Sequence, residues 1–331
     1  MSAVVQASVA PGFVRMSYMD AIVQAQIEEM ERDSRVILMG EDLAVYGDGK
    51  VLKTFGNNRV WSTPISENSF AGMAVGAAMT GLRPIVALSI ASFMYLASDQ
   101  IINQAAKLHY MTGGQMRVPA VFRCSLYYNR SIAAQHSDRP YPMFMNAPGL
   151  KILAPTTPSD MKGLLKAAIR DDDPVMVFED NTLWPIKQDV STDVEQIVPI
   201  GKADIKRQGT DVTIVAIAGC MKPALVAAET LASERIFVEV VDPRTLVPLD
   251  KETILNSVAK TGRLIVMDNA NRTCNAAAEI AAVVAEECFD QLKRRIVRLS
   301  TPDVHIPFSP ILEKPLYPGA DTIVAAVRSL V

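Results

Sequence analysis

The feature that most limits the fold is a set of short, near-continuous apolar runs separated by helix-like stretches. Val36-Ile37-Leu38-Met39, closed by Gly40, is the first; others begin at Pro84, Pro119, Lys151 and Val175. Runs that are apolar at nearly every position suit strands covered on both faces, and parallel sheets obtain that cover from their crossover helices. The helices between them carry start signals. Ser17 with Asp20 makes a capping box ahead of a helix that runs to about Asp33. Thr157-Pro158-Ser159-Asp160 supplies a cap, a proline at the first helical position and an acid at the third. Residues 181–210 are polar with little periodicity, and then the alternation restarts. Strands are expected at 211–217, 236–241, 263–267 and 295–299, with helices near 222–233, 250–259 and 275–289. The pattern predicts an α/β protein of two doubly wound domains, 15–190 and 200–331. Residues 1–14 read as a loose arm, 44–60 as a loop, and 124–148 as a long functional loop.

Composition enters as an exclusion. The 331 residues are 49% hydrophobic and 21% charged, with a formal charge of −3 and no basic run, which argues against a nucleic-acid partner. Four cysteines lie far apart and form neither a zinc pattern nor a dense disulfide framework, so a reducing cytoplasm is the expected setting. The first residues lack the charged start and apolar core of a secretory signal. The most apolar later run, residues 85–97, is too short to span a bilayer.

Candidate chemistry centres on residues 63–81. Glu67 follows a proline turn and precedes a helix of small residues that includes Ala71, Gly72, Ala74, Gly76, Ala77 and Ala78. Glycine in a helix interior costs roughly 0.5–1 kcal/mol against alanine, so two of them suggest a close approach to another backbone. Glu67 is then either an acid/base group at the mouth of a tightly packed element or, with Ser66, a helix cap. Glu41 and Asp42 stand at the carboxyl end of the first strand, the edge where open α/β sheets bind ligands. Gly47-Asp48-Gly49 with Asn57 imitates a metal-diphosphate motif, but the gap to the asparagine is far too short, and a Gly-rich turn is the better reading. Phosphate-binding, nucleophile-elbow and zinc-protease motifs are absent from the sequence. Of three histidines, His109 and His305 read as structural. His136, in the long loop, is either a surface group or a proton-transfer residue.

Several stretches carry a further resemblance. They are Arg59-Val60 through Thr63-Pro64-Ile65-Ser66-Glu67 with Phe70-Ala71-Gly72; Asp99-Gln100-Ile101-Ile102-Asn103; Met111-Thr112-Gly113-Gly114-Gln115; the segment from Ala133 to Ser137; Pro148-Gly149-Leu150-Lys151; the run from Lys162 to Pro174; and Val241-Asp242-Pro243-Arg244-Thr245-Leu246 with Pro248-Leu249-Asp250. Over residues 15–331 the chain resembles the β subunit of the thiamine-diphosphate-dependent dehydrogenase component of 2-oxo acid dehydrogenase complexes, of the pyruvate, branched-chain and acetoin types. The resemblance implies a pyrimidine-binding domain followed by a transketolase C-terminal-like domain. It implies an α2β2 heterotetramer with the cofactor between subunits and its magnesium-diphosphate site on the α subunit. It implies that Glu67 activates the aminopyrimidine, that Phe93 stacks on it with Tyr95 nearby, and that His136 serves as proton donor or substrate contact. It implies a structural potassium ion on the backbone around Ala120, Ala168, Ile169, Asp171 and Asp173. It also implies acyl transfer to a lipoyl arm on an acyltransferase core.

The chain departs from that pattern in places. The loop after Glu41-Asp42 is short, and Ser62 replaces an aspartate. Leu126, Tyr127 and Tyr128 replace small residues. Asp138-Arg139-Pro140-Tyr141-Pro142 follows His136, and Cys274-Asn275-Ala276-Ala277-Ala278 replaces a glycine-rich turn. These departures motivate an alternative expectation, a specialised carboligase relative that forms an acyloin without lipoamide.

Overall fold

The computed structural model describes residues 10–44 and 47–331. Among these, strands form three sheets. The largest has seven strands in the edge-to-edge order Thr245–Val247, Lys151–Leu153, Val175–Asp180, Val121–Leu126, Arg83–Ile90, Val36–Gly40, Val60–Ser62. All pair in parallel except Thr245–Val247, which runs antiparallel to its neighbour. The second has five, ordered Val297–Thr301, Leu264–Asn271, Val212–Ala216, Val238–Asp242 and an antiparallel edge, Asp204–Arg207. Phe13–Ser17 pairs with Lys187–Ser191 as a separate antiparallel ribbon.

The first strand shows why these runs are apolar throughout. Successive side chains point to opposite faces. Ile37 and Met39 enter the core beneath the Glu67–Met79 helix, whereas Val36 and Leu38 enter the one beneath Tyr18–Arg32 and Pro158–Arg170. The first of these cores runs on through Val215, Val241 and Val266 of the second sheet, so the two halves share one apolar layer. A third core lies on the far side of the second sheet, under Met221–Ala232 and Ala320–Arg328.

The predicted caps are in place. Ser17 and Asp20 make a reciprocal capping box, and the Thr157 hydroxyl accepts from the Asp160 amide. Several expectations are corrected. The supposed arm, 1–14, ends in the first two residues of a strand, Phe13–Ser17; its residues 1–9 lie outside the described residues. The supposed 44–60 loop holds a helix, Gly49–Phe55, and the edge strand Val60–Ser62. The polar 181–210 stretch supplies two edge strands, Lys187–Ser191, largely exposed, and Asp204–Arg207, half-buried throughout, and neither shows the alternation of a strand with one buried face. Residues 124–148 are less open than expected: the strand extends to Leu126, and the turn Ala134–His136 and helix Tyr141–Met145 follow. The strand Thr245–Val247 and the helix Ala320–Arg328 have no counterpart in the sequence reading.

Candidate active site

The carboxyl edge of the seven-stranded sheet gathers the acidic residues singled out above. The Val36–Gly40 strand ends in a glycine at φ 152°, where an added Cβ would lie 2.1 Å from the Ala87 carbonyl oxygen. Only glycine permits that approach, and it delivers Glu41 to the neighbouring strand's end. Both Glu41 carboxyl oxygens are buried and find no hydrogen-bond partner among the described residues. Burial first, then the Glu67 and Asp42 carboxylates, pushes the Glu41 carboxyl up to about 7.

Glu67 is the first residue of the Glu67–Met79 helix and only 6% exposed. The capping interpretation fails on geometry. Ser66, at the N-cap, makes no side-chain cap bond; its hydroxyl bonds to Ser69 Oγ at 2.8 Å. Glu67 likewise has no hydrogen-bond donor among the described residues. Gly72 does meet a close neighbour, since its Cβ would approach the Gln100 side chain to 3.0 Å on the Asp99–Ala105 turn, which is π-helical. Gly76 does not: beyond its own helix, nothing among the described residues lies within 4 Å of where its Cβ would be.

Phe93 and Tyr95 lie on the turn Ala91–Tyr95, directly after the Arg83–Ile90 strand. The Phe93 ring meets the His136 ring edge-on at 5.5 Å and 73°. The Asp138 amide donates to Ser92 Oγ at 3.3 Å, tying the His136 loop to the same turn. A cavity of about 450 Å³ opens beside that loop, lined on one side by Ala134, Ser137 and Asp138 and on the other by Asn271, Asp303 and His305. His109 Nδ1 lies 2.7 Å from the Met116 carbonyl oxygen.

Asp48, the centre of the motif set aside above, is buried and bonded to Arg123 (2.6 Å) and Gln26 (2.8 Å); Arg123 also pairs with Glu179 at 2.6 Å. Its carboxylate is fully engaged in structure. That buried trio was invisible to sequence reading, because its members are far apart in the chain and each looks like an ordinary surface charge. Around the end of the Pro158–Arg170 helix, the carbonyl oxygens of Ile169 and Asp171 accept from Arg83, that of Ala120 from the Val175 amide, and that of Ala168 from the Asp171 amide. The Lys151 ammonium bridges the Asp171 and Asp173 carboxylates.

These features define a cofactor-binding α/β fold of the transketolase class. The chain matches the family described as transketolase, pyrimidine binding domain over residues 14–186, and transketolase, C-terminal domain over residues 201–323. A solved split-gene transketolase, described as an inactive β4 tetramer, shares the fold with a TM-score of 0.79 at 20% identity, covering 95% of this chain and 98% of that one. Closer relatives are more specific. The β subunit of acetoin:2,6-dichlorophenolindophenol oxidoreductase from Bacillus subtilis is 44% identical over 95% of this chain and 97% of its own. The 2-oxoisovalerate dehydrogenase β subunit of the same organism is 42% identical (95% and 98%), and the pyruvate dehydrogenase E1 component β subunit of Rickettsia bellii 44% identical (96% and 99%). The chain belongs to the family of β subunits of thiamine-diphosphate-dependent 2-oxo acid dehydrogenase components.

Proposed function

We propose that this chain works with an α subunit, in an α2β2 heterotetramer, to decarboxylate a 2-oxo acid, and that Glu67 is the residue that activates the thiamine diphosphate. The observation that carries the reading is Glu67, 6% exposed at a helix start, whose carboxyl oxygens have no donor among the described residues yet still reach solvent. An unpaired carboxylate so placed is free to accept from a protonated ring nitrogen of the aminopyrimidine. When bound, the cofactor supplies the electron sink that lets the bond to the substrate carboxylate break. Glu67 holds the proton at the pyrimidine nitrogen. Phe93 offers a ring face for stacking, and Tyr95, half-exposed on the same turn, lines the approach. His136, against Phe93, holds or delivers a proton at the substrate oxygen.

In the same reading the α subunit holds magnesium with the diphosphate. A potassium ion at Ala120, Ala168, Ile169, Asp171 and Asp173 would use, at the first four, the second lone pair of a carbonyl that already accepts a hydrogen bond. The two domains are residues 15–190 and 200–331. A cytoplasmic setting is supported by four free thiols. Among the described residues no helix is long and apolar enough to cross a membrane.

A lipoyl arm on an acyltransferase core is the acceptor we favour. The bulky 126–128 segment and the altered 138–142 stretch motivate the carboligase alternative; Asp138 lines the cavity beside His136, whereas 126–128 are not among its lining residues. Leu126 and Tyr128 are buried, and Tyr127 stacks edge-on with Trp184. The test is co-expression with an α subunit, thiamine diphosphate and magnesium, offered acetoin and a panel of 2-oxo acids. Products are read by mass spectrometry with and without a lipoylated carrier. Acyl-lipoyl product supports the reading; acyloin formed without the carrier replaces it with a carboligase.

A further inference from the structure

The segment that carries His136 is held in conformations its sequence disfavours. Ala133 sits at φ 62° and ψ −169°, a region essentially reserved for glycine. Ser131 has φ 55°, uncommon for a residue with a Cβ. Such backbone persists only where its surroundings over-determine it. Here the surroundings come from the far half of the chain. The Ser131 amide donates to Glu313 at 2.9 Å, and the Tyr141 hydroxyl donates to Asp268. Between these anchors lies Arg139, a residue of the rebuilt stretch after His136.

Arg139 is only 8% exposed. Its guanidinium carbon lies 4.7 Å from the centre of the Tyr128 ring and 5.4 Å from that of Tyr317, and the two rings are 5.0 Å apart. Nη1 donates to the carbonyl of Ser137, the residue next to His136. Nε and Nη2 reach no acceptor among the described residues. The group is therefore fixed by two ring faces, one carbonyl, and the field of two buried carboxylates, Asp180 and Asp268, which its charge partly offsets. A planar guanidinium can stack and donate in one geometry; an ammonium cannot.

We infer that Arg139 is a positioning residue: packed against both Tyr128 of the first half and Tyr317 of the second, which touch each other, it grips the Ser137 carbonyl and so lets the C-terminal half set the placement of His136. This inference rests on the reading of His136 as a reacting group, and the test separates the two.

The assembled α/β holoenzyme, saturated with thiamine diphosphate and magnesium, is compared with Arg139→Lys, Tyr317→Leu and His136→Ala. The double variant of Arg139→Lys with His136→Ala completes a cycle. Arg139→Lys keeps a positive charge beside Asp180 and Asp268. It is expected to lower kcat by about tenfold or more while leaving KM within about twofold. Tyr317→Leu should reproduce that split from the other half. The double variant should be no slower than His136→Ala alone, because the two residues act as one unit. Additive losses, or an unchanged kcat for Arg139→Lys, would overturn the inference. Unchanged kinetics for His136→Ala would instead sink the role of the histidine. The inference is then judged by diethylpyrocarbonate labelling of the chain, read by peptide mass spectrometry. Arg139→Lys should change the labelling rate of His136 about threefold or more while His109 and His305 label as before; an unaltered rate overturns it. Failure of both Arg139→Lys and Tyr317→Leu to assemble would also overturn it, making the stack a folding element only.

Discussion

The Glu67–Met79 helix contains a glycine, Gly76, where an alanine would fit: an added Cβ meets nothing within 4 Å. The loop before His136 contains an alanine, Ala133, in a conformation that suits glycine. Both positions break the local preference of their element, one on the helix that begins with Glu67 and one three residues before His136. The causes differ. On the His136 loop the constraint is internal, since Ser131 bonds to Glu313 and Arg139 packs against Tyr317, both in the other half of the same chain. At Gly76 no atom among the described residues explains the missing side chain. The exposed surface around it, with Met73 46% and Met79 40% exposed, has the small and apolar character of a helix face met by another backbone. Local rules fail where a longer-range contact decides. The comparison shows that this contact can lie within the fold or outside it.

The sharpest break would come at the carboxylate itself. Glu67→Gln is expected to lower turnover with the α subunit by about 10²–10⁴-fold, the span of a lost acid/base contribution, while assembly by size-exclusion chromatography is unchanged. Turnover within about threefold of the parent would remove Glu67 from its assigned role. Glu41 gives a pH-dependent effect on the same side. Its folded-state carboxyl is pushed up to about 7, above the roughly 4.3 of an unfolded chain. The folded state therefore binds more protons across that window, and stability falls as pH rises from about 4.3 to about 7. Glu41→Gln lacks this titration. The Tm of the parent relative to the variant should drop over that interval and level off above it; a flat difference across the window would contradict the environment assigned to Glu41.

On the loop side the effect is smaller and opposite in character. Ala133→Gly relieves the disfavoured backbone, worth roughly 1–3 kcal/mol at such positions, less the extra chain entropy a glycine loses on folding. Urea unfolding of the isolated chain should show a net gain. The loop, no longer forced, should also present His136 less well, so kcat falls although stability rises. A loss of stability would mean that Ala133 is not strained.

The sequence made the regular parts legible. Apolar runs and capping residues are local signals, and Ser17, Asp20, Thr157 and Asp160 behave as local chemistry dictates. Edge strands such as Lys187–Ser191 escaped because their side chains are largely exposed and carry no burial pattern. Thr245–Val247 escaped because three residues are too few to show a period. At the site, pattern singled out Glu67 and His136 but left each with a bland alternative, and Phe93 and the specific roles came from resemblance; no side-chain cap bond forms at the start of the Glu67 helix. Arg139 could not have been found from pattern, because its partners Tyr128 and Tyr317 lie 11 and 178 residues away by their sequence numbers. A stack between two halves of a chain leaves no local trace.

Gly76 gives the smallest effect and the most direct test of the comparison. Gly76→Ala places a methyl group in open space on a helix of the isolated chain, and should stabilise that chain by about 0.4–1 kcal/mol, the gain from a less flexible unfolded state. If the glycine is kept for a backbone of the α subunit, the same methyl group must be accommodated in the assembled enzyme. The association constant with the α subunit should then fall even as the Tm of the free chain rises. Opposite signs in the two measurements would place the cause outside the fold. A gain in both would leave Gly76 without a packing reason, and the contrast with Ala133 would reduce to one strained loop.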